Sequence, residues 1–334
     1  MNQRQCTQPG GAPGANAPRQ QRGLSMIELM IALVVGLIVV AGMLQVFVSS
    51  KGSSEMNSGQ MELIENARFS LHTLRRDALM TGSWGRLTRA QLVEGRRGST
   101  AELPSISGDC AAGWYVDVER RLFASDDSNP YASTCLGSSA EYRAGTDVLV
   151  LRYAQAVEIA DANLLTGTTY LRSSPMHGTL FDGGDALPTV FSGANYPLQS
   201  VVYYVANYSE RAGDGIPSLR RKLLVGGPKL EDELVAAGVE DFQVQFGVDL
   251  CQPRCDEAVD LYVDADNPVL DWGDADMLDR VLAVRVFLLV RSGDRLGEST
   301  QTFTLGSKSV TTADDGYRRM LLSSVFFLRN KSYQ

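Results

Sequence analysis

The sequence has little of what enzymes and nucleic-acid-binding proteins use. Only two histidines occur, His72 and His177, and neither stands in a GxSxG or HExxH motif. Its paired glycines lack the GxGxxG or GKS context of a phosphate-binding loop. Basic residues are fewer than acidic ones, 31 against 39, and the net charge of −8 argues against a surface that neutralises phosphates. The residues therefore predict no enzyme site, no cofactor and no direct nucleic-acid partner.

The chain also lacks the repeated apolar runs of a multi-span membrane protein, but it contains one such run. From Leu24 to Val48 the only charged residue is Glu28. As a helix this run is ~37 Å long at ~1.5 Å per residue, enough to cross ~30 Å of hydrocarbon. Residues 24–50 are therefore predicted to form a transmembrane helix.

Residues 1–23 form a basic leader that cannot contribute to a core. They contain Arg4, Arg19 and Arg22, three prolines, four glycines and no acidic residue. By the positive-inside rule, the N-terminus lies in the cytoplasm and the C-terminal part in the periplasm. Without the leader, 28 basic and 39 acidic residues remain, so the exported part has a charge of about −11.

The junction between leader and apolar run resembles the signal of type IV prepilins. Arg22 and Gly23 precede the apolar run directly, and Glu28 is its fifth residue, although Leu24 stands where that family usually has Phe. The resemblance implies that a prepilin peptidase cuts between Gly23 and Leu24 and that Leu24 is then N-methylated. A conventional secretory signal would instead be cut after the apolar stretch.

A carboxylate one turn inside a membrane helix is costly, by about 2.5 to 3.5 kcal/mol, and usually faces a partner. The resemblance implies that the partner of Glu28 is the new N-terminal amine of Leu24, on an adjacent subunit or on the same chain, and that the pair aligns helices during assembly. The alternative is that Glu28 lies near the interface and snorkels.

Beyond the membrane segment, residues 51–82 are predicted to continue the helix in amphipathic form. One apolar stripe recurs at spacings of 3, 4, 3 and 4 and is expected to face a sheet. The stripe consists of Ile64, Ala67, Leu71, Leu74 and Ala78. Charged residues including Asp77 are expected on the remaining surface, and Gly82 with Gly85 ends the element.

Residues 83–334 are predicted to form an exported, strand-rich domain. β-prone runs are separated by Gly, Pro, Asn and Asp, whereas Gly85 to Gly145 has weak periodicity and is predicted to be an elaborated loop region. The clearest runs are 147–153, 201–205, 219–225, 239–248, 281–291, 301–305 and 317–329. The fold class is therefore α+β, with a long N-terminal helix packed on an antiparallel sheet.

The last third of the chain resembles the PilW family of type IV pilus minor pilins and, more distantly, the larger minor pseudopilins of type II secretion. The resemblance covers Glu233 to Leu250, Val281 to Ser292 and Asp315 to Asn330. It includes the terminal pattern of Tyr317, Arg318, Arg319 and Arg329. The alternative is that these arginines only cap and solvate an edge strand.

The cysteines agree with export to an oxidising compartment. Cys6 lies in the leader, which leaves the even set of Cys110, Cys135, Cys251 and Cys255. Local pairs, Cys110 with Cys135 and Cys251 with Cys255, are expected. A four-thiolate zinc site is the alternative, but these spacings do not give two CxxC knuckles.

An aspartate-rich connector offers weak calcium candidates. Asp264, Asp266 and Asn267 lie close enough in sequence to share a cation. The central Gly and final Glu of an EF-hand are absent, and most such runs are solvated loops. The connector's eight aspartates are Asp256, Asp260, Asp264, Asp266, Asp271, Asp274, Asp276 and Asp279.

The resemblance implies a minor pilin of a type IV pilus that primes or enters the filament, near its tip, and supports motility or adhesion. Its implied partners are other minor pilins, the major pilin, the prepilin peptidase, the inner-membrane assembly platform and a tip adhesin. A type II secretion pseudopilin has the same signature and topology. A membrane-anchored periplasmic adhesin or binding module is the alternative from another class; an anchored hydrolase would need a catalytic constellation that the sequence does not contain.

Overall fold

The computed structural model describes residues 23, 25–137, 141–251, 254–298 and 300–330. The predictions for the leader, Cys6 and Leu24 lie outside the described residues, apart from Gly23. By its internal contacts the chain divides into two units, the first ending at Glu55 and the second beginning at Met56.

Helix α1, Met26–Met80, is 55 residues long and contributes to both units. In the first unit its apolar side chains are all exposed, with Met26 at 88% and Phe47 at 67%. It is long and apolar enough to cross a membrane. Exposing this much apolar surface to water is unfavourable by roughly 25 cal/mol per Å², so lipid or other helices must cover it.

In the second unit α1 lies on the sheets, but its buried face differs from the predicted stripe. Leu63, Ala67, Leu74 and Ala78 are buried as expected of an amphipathic helix, whereas Ile64 is 37% exposed. The prediction for Ile64 was wrong because the helix is rotated so that Leu63 occupies the core. At its end, the Asn330 side-chain amide donates to the carbonyls of Leu79, Met80 and Thr81, each at 3.2 Å.

Among the described residues, the strands after α1 form two larger sheets and one hairpin, whereas the sequence predicted one antiparallel sheet. The strands are β1 (Val93–Glu94), β2 (Leu122–Ser125), β3 (Val148–Ala154), β4 (Thr169–Ser173), β5 (Gly178–Asp182), β6 (Ala194–Ala206), β7 (Ser218–Val225), β8 (Lys229–Ala237), β9 (Val239–Val248), β10 (Leu261–Asp264), β11 (Val281–Glu298), β12 (Thr302–Leu305), β13 (Lys308–Thr311) and β14 (Gly316–Phe327). A short helix α2, Ala275–Arg280, precedes β11. All seven predicted runs are strands here.

The eight-stranded sheet has the order β1-β5-β4-β6-β3-β2, with β7 pairing β6 and β8 pairing β7. The four-stranded sheet has the order β10-β9-β11-β14, and β12 pairs with β13. Pairing is antiparallel except between β1 and β5. The predicted α+β class with a helix on antiparallel sheets is confirmed.

Two hydrophobic layers lie on opposite faces of the eight-stranded sheet. Leu149 and Tyr203 face the layer shared with α1 and the four-stranded sheet. Their neighbours Val150 and Val202 face a second layer, since successive strand residues point to opposite faces. This second layer contains residues from 84 to 142, including Trp114, which is buried. The region predicted to be loop thus supplies core, because short irregular segments bury aromatic side chains without a periodic signal.

Candidate assembly site and helix anchor

Helix α1 begins with a capping box that involves Glu28. The Ser25 N–H donates to Oε2 of Glu28 at 2.9 Å, and the Ile27 N–H donates to the Ser25 hydroxyl at 3.3 Å. This reciprocal arrangement satisfies amide groups that the first helical turn leaves unpaired. The carboxylate at this end also favours the helix dipole. Glu28 therefore has a local structural role, which the Ser-x-x-Glu spacing of residues 25–28 could have predicted.

The charge of Glu28 has no salt-bridge partner among the residues that the structure describes. Glu28 is exposed, and its neighbour Leu24 lies outside them. The capping bond engages one carboxylate oxygen, Oε2. The geometry thus leaves the charge available to a cation from elsewhere, while every apolar neighbour along the first unit is also exposed.

Asp77 fixes the other end of α1 to the eight-stranded sheet, and its predicted place on the surface was wrong. It is fully buried. The Tyr153 hydroxyl donates to its Oδ1 at 2.9 Å, and the Tyr203 hydroxyl donates to its Oδ2 at 2.5 Å. Arg221 from β7 lies 3.1 Å from Oδ2. These partners offset the cost of burying the carboxylate, which would otherwise exclude Asp77 from this position.

The buried environment around Asp77 raises the pKa values of Tyr153 and Tyr203. Burial raises the pKa of Tyr203 well above its ordinary value, and the neighbouring charge of Asp77 raises it further. The pKa of Tyr153 is raised for the same two reasons. Both hydroxyls therefore stay protonated and act as donors to Asp77 throughout the physiological pH range.

A second ionic cluster connects β9, β11 and β14 at one end of the four-stranded sheet. Arg319 of β14 lies 2.6 Å from Glu240 of β9 and 2.6 Å from Asp315. Hydrogen bonds from Arg319 hold the pKa of Asp315 well below its usual range. Arg291 of β11 lies 3.6 Å from Glu240 and 4.3 Å from the ring centre of Tyr317. Arg319 thus has a definite structural role in linking β14 to β9.

The four cysteines of the described chain form two disulfides, Cys110–Cys135 and Cys251–Cys255. The first lies in the second hydrophobic layer and ties together the irregular segments there. Asp249 lies beside the second and accepts the Cys251 N–H at 2.7 Å. Asp249, Cys251 and Cys255 are close enough to resemble a ligand set, but bonded sulfurs are not thiolates, so the zinc alternative does not fit this pairing.

The calcium candidates use part of their ligand capacity within the protein. Asp264 Oδ1 accepts from the Gln245 side chain at 3.0 Å, and Asn267 Oδ1 accepts the Val269 N–H at 3.0 Å. Asp266 is exposed. No ligand geometry for a cation follows from these contacts, so calcium stays an untested prediction.

Three buried or half-buried carboxyls make stability depend on pH. Burial raises the pKa of Asp147 to about 8, although its oxygens accept two backbone N–H groups, and burial raises the pKa of Asp109 and Asp126 to about 6 each. Between pH 4 and 8 the folded state therefore binds more protons than the unfolded state, so stability falls as pH rises. Asp214, with its pKa lowered to about 2, titrates below this window.

We expect the free energy of unfolding to fall by about 3 kcal/mol between pH 5.5 and 8 through Asp147 alone, because its folded-state pKa of about 8 makes stability change by ~1.4 kcal/mol per pH unit over most of this range. Denaturant titrations at the two pH values measure the change. Asp147→Asn, which is neutral at both, should flatten the profile. A wild-type protein that is more stable at pH 8 than at pH 5.5 would contradict this account.

An exposed apolar helix that starts near a glycine and a glutamate, and whose second half lies on antiparallel sheets, defines the pilin class of fold. Two family models match the chain: Type IV Pilus-assembly protein W over residues 202–330, and the Prokaryotic N-terminal methylation motif over residues 18–44. They confirm the resemblance inferred from both ends of the sequence and support a pilus-related pilin.

Among solved structures, the type IV-like pilin TTHA1219 from Thermus thermophilus is similar, at 14% identity, over 81% of this chain and 98% of that chain. Its TM-score of 0.33 is too low for the likeness to support any argument. No curated protein gives a significant match to the chain.

Proposed function

We propose that the chain is a minor pilin of a type IV pilus, inserted in the inner membrane as a prepilin and then incorporated into the filament or used to prime it. The observation that carries this proposal is the combination of the fully exposed apolar first part of α1 with the Gly23–Glu28 pattern at its start. The family matches at both ends of the chain support the same class. Its place in the filament is proposed to be near the tip.

In this proposal the protein acts by associating with other pilin subunits. Apolar helix surfaces leave lipid and pack against neighbouring helices, while Glu28 pairs with the amine of Leu24 after cleavage. Forming the charge pair removes the cost of a lone carboxylate in an apolar environment, so it favours only helices in the correct stagger. The exported domain supplies the surface that distinguishes this subunit from others.

The proposed organisation follows the sequence boundaries: a cleaved leader at 1–23, an assembly helix at 24–50, its amphipathic continuation at 51–82 and a periplasmic domain at 83–334. Its partners are proposed to be the prepilin peptidase, the inner-membrane assembly platform, other minor pilins, the major pilin and a tip adhesin. We propose that the protein has no catalytic activity and needs no cofactor. Motility and adhesion would then depend on the protein through the filament.

The pseudopilin of type II secretion is the competing function, since it uses the same helix and charge pair. The match of residues 202–330 to a pilus-assembly family favours the pilus. A deletion strain separates them: loss of surface pili with normal secretion supports the proposal, and a secretion defect with normal pili contradicts it.

Mass spectrometry of the mature N-terminus tests the processing on which the proposal depends. We expect the purified membrane protein to begin at a methylated Leu24, because Gly23 directly precedes the apolar run. Gly23→Val should leave the leader attached and provides the control. A mature terminus beyond Val48 would contradict the proposal, since it would remove the assembly helix as an ordinary signal peptide.

A further inference from the structure

The sheet edges of this protein are protected in different ways. Within the described ranges, β1 has only two residues and β2 and β10 have four each. The longer edge strand β8 is charged, with the sequence KLEDELVAA over 229–237. Short or charged edges discourage pairing with other chains. Strand β14 is the exception: it is 12 residues long and, among the residues that the structure describes, pairs only with β11.

The register identifies the backbone groups on the free side of β14. The Leu328 N–H donates to the Leu282 carbonyl at 2.8 Å, so these two residues form a hydrogen-bonded pair. The register then continues without a shift from Ala283 opposite Phe327 to Arg291 opposite Arg319. Because hydrogen-bonded and non-hydrogen-bonded pairs alternate, every second residue directs its N–H and C=O away from β11. These residues include Leu321, Ser323, Val325 and Phe327.

The side chains along this edge do not protect it. Residues 320–327, MLLSSVFF, contain no charge, no proline and no glycine. Alternate side chains enter the core shared with α1, as Phe326 does at 4% exposure. On the opposite face Val325 is 38% and Phe327 60% exposed. An uncharged edge segment of this length, with exposed apolar side chains, is a surface on which an added strand can pair.

Charge indicates what this edge accepts. Residues 316–330 contain three arginines and no acidic residue, in a chain whose net charge is −8. Arg319 is neutralised by Glu240 and Asp315, whereas Arg329 is exposed at the far end of the edge. A second copy of β14 is a poor occupant, because antiparallel pairing centred on the serines would bring Arg329 near Arg319 and parallel pairing would set arginine beside arginine.

We infer that the free edge of β14 accepts an extended strand from a partner protein, apolar in its centre and acidic at the end beside Arg329. The added strand would extend the four-stranded sheet by main-chain hydrogen bonds, and its alternate side chains would cover Val325 and Phe327. This contact goes beyond the proposed function, since it uses neither α1 nor Glu28 and would hold whichever assembly the helix enters.

A defined peptide tests the inference with the full chain in detergent micelles. The probe is a fluorescent ten-residue peptide in which valine alternates with threonine between glutamates at both ends. We expect saturable binding by fluorescence anisotropy and slower hydrogen exchange at the amides of Leu321, Ser323, Val325 and Phe327. Val325→Pro removes one outward donor without removing a bond to β11 and should weaken binding at least tenfold.

Matched variants separate pairing from other effects. Val325→Thr keeps the donor and should bind within about twofold of wild type, while Arg329→Glu should favour a lysine-ended version of the peptide. If Val325→Pro fails to fold, Val325→Lys replaces it, because an edge lysine also blocks pairing. Equal binding by wild type and the folded blocking variant, no binding by wild type, protection on α1 instead of β14, or protection by concentration-dependent self-association would each overturn the inference.

Discussion

Replacing Asp77 with alanine is expected to reduce the free energy of unfolding by roughly 3 to 5 kcal/mol, enough to unfold much of the sheet-containing unit at 37 °C. The substitution removes the acceptor of two buried tyrosine hydroxyls and one of the two carboxylates that neutralise Arg221. Burying such groups without partners costs more than forming the network gains. Urea titration of the full chain in micelles, followed by tryptophan fluorescence, measures the loss.

Arg76 provides the matched control for this prediction. It contacts the same carboxylate at 3.1 Å, but its side chain is 59% exposed. Arg76→Ala should therefore cost less than about 1 kcal/mol, as exposed ion pairs usually do. Asp77→Asn, which keeps an acceptor but not the charge, should fall between the two. Equal stability of Asp77→Ala and Arg76→Ala would show that the buried network does not anchor α1.

Replacing Glu28 is expected to abolish complementation of surface piliation in a deletion strain while the protein remains in the membrane. The reason is electrostatic: in the proposed assembly, the amine of Leu24 would lose its partner without the carboxylate, and the helices would lose their preferred stagger. Glu28→Ala removes both the charge and the capping bond to Ser25. Glu28→Gln keeps the capping box, because glutamine accepts the same N–H, and removes only the charge.

The comparison among these variants decides which role of Glu28 matters. If the charge pair drives assembly, strains that carry Glu28→Gln or Glu28→Ala lack surface pili. A strain that carries Ser25→Ala, which weakens the helix cap by about 1 kcal/mol, still assembles them. Counting surface pili by electron microscopy and detecting the protein in membranes by immunoblot supply the two readouts. Normal piliation of Glu28→Gln would restrict Glu28 to helix capping and contradict the assembly role.

The parts of the fold that sequence could predict are those with a local signal. The long helix follows from its apolar run, and β11 follows from the run VLAVRVFLLVR at 281–291. The capping box at Ser25 also had a local signal, although Glu28 was interpreted only through its charge. The turn before β7 also has a local signal in its glycines, since Gly213 and Gly215 adopt positive φ.

The anchor of α1 could not be predicted because its partners are distant in sequence. Asp77 meets Tyr203 and Arg221 across separations of 126 and 144 residues. Periodicity assigns an isolated aspartate to the surface. Only the folded sheet shows that a guanidinium group and two hydroxyls contact the Asp77 carboxylate. The division into two sheets was missed for the same reason, since strand pairing depends on register between segments far apart along the chain.

The amide of Asn330 at the end of α1 has a mechanical consequence. Its bonds to three carbonyls join the last described residue to the helix end, so the chain between them is closed into one loop. A force applied along α1 would therefore act on the contacts of Asp77 and of Asn330 at the same time. The helix could separate from the sheets only if both sets of contacts broke together. For a subunit in a filament under tension, this closure would keep the domain folded while its helix bears the force.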